Sequence, residues 1–101
     1  MNMFCVMYEF TVDPNRENEF KNLWHELTLK IKDYKNSRGS RLHKVTEVEH
    51  TWVAYAQWLS EEDYEKSPTD LSFDRLREKF LATCKEIKIL GHMEVVDDLL
   101  S

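Results

Sequence analysis

Along the first stretch of the chain Phe4, Val6, Tyr8, Phe10 and Val12 fall on one side, and Met3, Cys5, Met7, Glu9 and Thr11 on the other. A period of two in residues that favour pleated structure predicts a strand over Met3 to Val12 with both faces covered. The period then changes. Phe20, Leu23, Trp24, Leu27, Ile31 and Tyr34 recur at spacings of three and four, which predicts a long helix with one apolar stripe against a sheet. Lys21, His25, Lys32 and Asp33 occupy its wet side. Asp13 and Pro14 stand where a cap and a first helical residue belong, so the helix is expected to begin there.

The run "NSRGS" reads as a break made of turn formers. Arg41 to Val48 and Thr51 to Leu59 then read as two strands joined through the short polar link Glu49 and His50. Ser60, with Asp63 three residues on, makes a capping arrangement for a short helix that the Ser67–Pro68 step should end. From Phe73, the positions Leu76, Phe80, Thr83, Cys84 and Ile87 trace one more helical face. "ILGHMEVVDDLL" reads as a last strand and a tail. The order is that of an α+β, ferredoxin-like β-α-β-β-α-β sandwich, an antiparallel sheet with helices on one face. Its other face would then expose apolar groups, and a second copy of the same chain is the most economical cover, so a homodimer is expected.

One strand carries an unusual face. Trp52, Ala54, Ala56 and Trp58 leave it on the same side, and two methyl groups between two indoles open a hollow that something must fill. Either neighbours such as Trp24, Leu27 and Phe80 pack onto the alanines, or a flat aromatic ligand lies there against Trp58. Tyr8 belongs on the same side as Phe4, Val6 and Phe10, where its hydroxyl needs a partner or orients a substrate hydroxyl. Arg77 lies at the margin of the third helical stripe, where its stem covers the core or its charge steadies a phenolate.

Composition narrows the classes. The 101 residues suit one domain over 1–101, and a formal charge of −5 with interleaved acids and bases argues against a nucleic-acid partner. The opening residues lack the basic lead and small-residue site of a signal peptide, and no run reaches membrane-spanning length, so a cytoplasmic location is expected. Cys5 and Cys84 form no paired motif and read as small buried hydrophobes. His25, His43, His50 and His92 show no metal-ligand spacing; His43 and His92, on expected strands, could serve as an acid or base, but surface or core roles are the plainer reading. No metal and no cofactor is expected. Signatures of nucleophilic hydrolases, phosphate-binding loops and dinucleotide folds are missing.

The segments "VDPNRENEFKNLWHEL", "GSRLHK" and "WVAYAQWLSEEDYEK" resemble the antibiotic biosynthesis monooxygenase family over almost the whole chain. The sharpest part is Trp58 at a strand end, followed by Ser60, Glu61, Glu62 and an aromatic in the next helix. The resemblance implies a dimeric α/β barrel and a pocket between sheet and helices in each protomer. It also implies oxidation of electron-rich polycyclic phenols by molecular oxygen without metal or flavin. Ser67 stands where the family usually has His, Tyr8 stands where a haem-degrading branch has Asn, and the helix after Ser67 lacks that branch's axial His; haem breakdown is therefore disfavoured. With the family's chemistry, Trp58 and Tyr8 become candidate catalytic residues, and Trp24, Trp52, Ala54, Ala56, Arg77 and Phe80 candidate binders of an apolar aromatic ligand. The alternative is a binding or assembly module of the same fold with no chemistry.

Overall fold

The computed structural model describes residues 3–67 and 71–100. The elements run β1 (Phe4–Val12), α1 (Glu17–Lys32), β2 (Ser37–Lys44), β3 (Thr51–Trp58), α2 (Glu61–Glu65), α3 (Leu71–Leu81) and β4 (Cys84–Glu94). The four strands form one antiparallel sheet in the order β2-β3-β1-β4. This is the expected ferredoxin-like α+β arrangement, and no helix among the described residues is long and apolar enough to cross a membrane.

Register explains the core. Phe4, Val6, Tyr8 and Phe10 on β1 stand opposite Trp58, Ala56, Ala54 and Trp52 on β3, so both sets leave the same face. Phe20 and Leu27 from α1 and Phe73 and Phe80 from α3 pack onto that face. The densest part is a knot of rings: Phe20 lies 5.2 Å from Phe80, 5.4 Å from Phe10 and 5.6 Å from Trp52, measured between centroids. Spacings of this size suit tilted and offset ring pairs. Met7, Tyr55 and Val53 lie on the opposite, helix-free face, as the alternation of side chains along β1 and β3 requires.

Element boundaries differ from the sequence expectation at several places, each for a local reason. Asp13 does not cap α1. Its Oδ1 accepts from the backbone of Asn15 at 3.0 Å and its carbonyl from that of Arg16 at 2.9 Å, making a turn, and the helix starts at Glu17 after an Arg16 that offers no side-chain cap. Tyr34 falls beyond the end of α1 and is 38% exposed. "NSRGS" is strand from Ser37 on: the turn spans Asp33 to Asn36 and ends at Asn36 (φ 68°), and Gly39 (φ 86°) sits in an irregularity between Ser37 and Ser40 that lets β2 continue. A positive φ at Gly39 costs little because there is no Cβ to clash. β2 ends at Lys44 rather than Val48, so the link to β3 runs from Val45 to His50, with His50 (φ 60°) held by Glu17 through a 2.8 Å Nδ1–Oε1 contact. Thr83, Cys84 and Ile87 do not extend the last helix: α3 ends at Leu81, the Thr83 hydroxyl donates to the Phe80 carbonyl at 2.6 Å, and β4 starts at Cys84. Ser60 caps α2 as expected, accepting from the backbone of Asp63 at 3.2 Å. Pro68 lies outside the described residues.

Candidate functional site

Beyond the ring knot the helices and sheet diverge. The two alanines of β3 do not fill the space that Trp52 fills at the other end, and a cavity of about 330 Å³ opens between sheet and helices. Ala54 and Ala56 form its floor, Trp24 with Leu27 one wall, Phe73 with Phe80 another, and Trp58 the far end. Its rim includes Ser37, Gly39 and Ser40, so the irregularity that Gly39 allows in β2 lies at the cavity edge.

The larger polar groups, Tyr8, Tyr64 and Arg77, come together, while the hydroxyls of Thr28, Ser37, Ser40 and Ser67 also line the cavity. Tyr8 and Tyr64 bring their hydroxyls to 3.3 Å of each other, one from β1 and one from α2. Tyr64 is steered there by the cap of its short helix: Asp63 accepts from the Asn36 side-chain amide at 3.0 Å and from the Ser60 hydroxyl at 2.7 Å, tying α2 to the start of β2. Those two bonds, Asn36 first, hold the Asp63 carboxyl below its usual range. Tyr64 also meets the edge of Trp58 at 6.1 Å and packs against Phe4 at 5.5 Å. Arg77 enters the same end from α3, its guanidinium 4.7 Å above the Phe73 ring and 3.5 Å from Asp74.

Burial pushes the Tyr8 phenol well above its ordinary value, the bond to Tyr64 adds to the rise, and the Arg77 charge pulls back a part. At neutral pH Tyr8 is therefore a hydroxyl that donates or accepts, not a phenolate base. The same shift makes a stability prediction. The unfolded chain releases the Tyr8 proton near pH 10 and the folded chain holds it, so the contribution is whole below pH 10 and is lost as pH rises beyond. Urea titrations from pH 8 to 11.5 should show stability falling at the alkaline end, and Tyr8→Phe should flatten that fall while costing about 1 kcal/mol at pH 8 through the lost hydrogen bond.

The structure brings Tyr8, Trp24, Ala54, Ala56, Trp58, Arg77 and Phe80 to one cavity. Trp52 is placed elsewhere. Its ring packs on Phe20 under the Lys44 ammonium, its indole N–H is buried without a partner among the described residues, and it is not part of the cavity lining. Tyr64 is the group that sequence reasoning passed over, although an aromatic in the helix after Trp58 was part of the family pattern. No histidine or carboxylate lines the cavity among the described residues. His43 on β2 stands with its Nδ1 3.3 Å from the Val53 carbonyl of β3, and His92 packs its ring 5.5 Å from that of Tyr64. No three His, Cys, Asp or Glu side chains among the described residues gather closely enough to hold a metal ion. Cys5 and Cys84 are free thiols, Cys5 buried and Cys84 half-buried.

Comparison with solved structures supports the fold over its full length. A variant of SnoaB, described as a cofactor-independent oxygenase from Streptomyces nogalater, superposes with a TM-score of 0.86 at 14% identity, covering 100% of both chains. A candidate antibiotic biosynthesis monooxygenase from Caulobacter crescentus gives 0.84 at 16% identity over 95% of this chain and 92% of its own. Another from Nitrosomonas europaea gives 0.82 at 10% identity over 93% and 90%. No curated protein matches the chain by sequence. The family model described as antibiotic biosynthesis monooxygenase matches residues 3–84, and the chain belongs to that family.

Proposed function

We propose that the chain is a cofactor-independent monooxygenase, a single domain over 1–101, that binds a small electron-rich phenol or quinol in the cavity above Ala54 and Ala56 and oxidises it with molecular oxygen. The observation that carries this reading is the cavity itself: apolar walls, an alanine floor, and a polar end made of Tyr8, Tyr64 and Arg77. The ring stacks against Trp58 and Trp24, and its hydroxyl meets the two phenols. Arg77 favours the phenolate, whose electrons oxygen accepts. For a ring methylene activated by neighbouring phenols, the carbon exchanges two hydrogens for one oxygen atom, the second oxygen atom leaves as water, and the substrate supplies four electrons. The SnoaB likeness and family membership support the chemistry.

The reading includes a homodimer built on the helix-free face and a cytoplasmic setting. A second reading, a non-catalytic binding module, is favoured by the absence of a carboxylate or imidazole from the described lining. The two separate on one experiment. Pure, metal-free protein incubated with naphthoquinols and anthrones should take up oxygen above the blank, whereas binding with no uptake selects the module. Because the described lining holds no carboxylate or imidazole to take the substrate proton, uptake should rise with pH as the bound phenol ionises. Arg77→Met should move that rise upward by about one pH unit, and Arg77→Lys, which keeps the charge, should largely restore it.

A further inference from the structure

The five residues of α2 bury no side chain fully, and a helix so short does not hold itself, so its place is set by its ties to the rest of the chain. The pair of Lys66 with Glu62 at 2.8 Å stays within α2 and its cap. Another tie leaves it. Asp63 accepts from the Asn36 side-chain amide at 3.0 Å and, on its other oxygen, from the Ser60 hydroxyl at 2.7 Å. The Asn36 carbonyl in turn accepts from the backbone of Leu59 at 2.9 Å, and the next residue, Ser37, pairs with Trp58 in the sheet. One turn residue thus grips the link from β3 to α2 at two points, with its carbonyl at Leu59 and its amide at Asp63. Trp58 and Tyr64, which flank that link, both line the cavity.

The backbone of Asn36 lies in the left-handed region, φ 68°, where asparagine is tolerated and glycine costs least. Glycine would serve the turn equally well. What it lacks is the amide that reaches Asp63. At the far side of α2, the Tyr8 and Tyr64 hydroxyls stand 3.3 Å apart, beyond the roughly 2.7–2.8 Å usual for O–H···O bonds. At that separation a small shift of α2 decides whether the two phenols bond each other or turn together to a third oxygen. We infer that Asn36 and Asp63 are positioning residues for the oxidation proposed above, on which this rests: through α2 they set the Tyr64 hydroxyl against Tyr8 and against the oxygen of the bound phenol. They touch no substrate themselves. Their effect falls on turnover more than on affinity, because Trp24 of α1 and Trp58 of β3 hold the ring and Tyr64 is what α2 adds to the lining.

Oxygen uptake with a naphthoquinol tests it, measured well below the lowest melting temperature of the set, with circular dichroism confirming that each variant is folded. Asn36→Gly keeps the turn and removes the amide, and kcat should fall about tenfold while KM stays within about threefold. In the Tyr64→Phe protein the same change should alter kcat by less than about twofold, since the hydroxyl it would misplace is gone. Asn36→Asp sets two carboxylates face to face and should lose at least as much as Asn36→Gly. The exchanged pair Asn36→Asp/Asp63→Asn, in which residue 63 supplies the amide, should return kcat to within about threefold of wild type. A wild-type protein that takes up no oxygen overturns the oxidation and this inference together. An active wild type whose kcat Asn36→Gly leaves unchanged, or reduces as much without the Tyr64 hydroxyl as with it, overturns the positioning role alone. So does an exchanged pair that stays as slow as Asn36→Asp.

Discussion

Ala56→Leu should raise the stability of the protein and, on the function proposed above, abolish the binding of aromatic ligands. Both effects follow from one space. Ala56 stands between Val6 and Ser40 in the sheet and forms part of the floor of a cavity of about 330 Å³. An isobutyl group there enters a void, so its three added carbons gain about 2 kcal/mol of burial, reduced to about 1–1.5 kcal/mol by lost rotamer freedom. For a domain of this size that is a rise of several degrees in the melting temperature, by about 4–8 °C per kcal/mol. The same atoms would occupy the position of the proposed ligand ring, and affinity should fall about 100-fold or more, equivalent to about 2.7 kcal/mol. Calorimetry and ligand-dependent thermal shift read the two effects on one sample. Opposite signs are what make the experiment decisive: in a tightly packed region the same leucine would cost about 1–3 kcal/mol. A lower melting temperature with binding intact would show that the space is not where the ligand goes.

The parts of this protein that a period can reveal are the parts the sequence displayed. The stripe Phe20, Leu23, Trp24, Leu27 and Ile31 lies on the inner side of α1 because spacing of three and four leaves no other choice. Strict alternation likewise put Ala54, Ala56 and Trp58 on one face of β3 and Tyr8 on the matching face of β1. What alternation cannot say is how far along the strand the helical layer keeps contact. Trp52 shares the face of Trp58, yet Phe20 meets it and closes that end, so the two indoles have different surroundings. Boundaries failed where local signals were ambiguous. Leu76, Phe80 and Ile87 fit one helical face on spacing alone, but Thr83 turns the chain and Ile87 pairs opposite Phe10 as a strand residue. Gly39 and its neighbours read as a turn because glycine and serine favour turns, and the same glycine instead serves an irregular strand. Tyr64 was hidden for another reason: its partner Tyr8 is 56 positions away, and the short helix that delivers it is held by long-range contacts such as the Asn36–Asp63 tie, which no local period reveals.

Phe20→Ala should bring the protein close to the limit of folding. The side chain is fully buried, and its ring packs on those of Phe10, Trp52 and Phe80 at centroid distances between 5.2 and 5.6 Å. Truncation of a buried phenylalanine costs about 3–5 kcal/mol, and because three neighbouring rings would be left facing a void, the cost belongs at the upper end. Against a total of about 5–15 kcal/mol for a domain, such a loss removes a third or more of the stability. Urea unfolding at several protein concentrations separates this from any change in self-association. Phe20→Leu, which keeps most of the volume, should cost about 1.5 kcal/mol or less. The contrast with Ala56 gives the experiment its meaning. On one side of the same helix–sheet layer a side chain can be enlarged with gain, and on the other it cannot be reduced without near collapse, because the ring knot around Phe20 must hold sheet and helices together while the alanine floor leaves them apart. If Phe20→Ala cost less than about 1 kcal/mol, the knot would not be what spaces the layers, and the cavity would have to be maintained by the Tyr8–Tyr64 end instead.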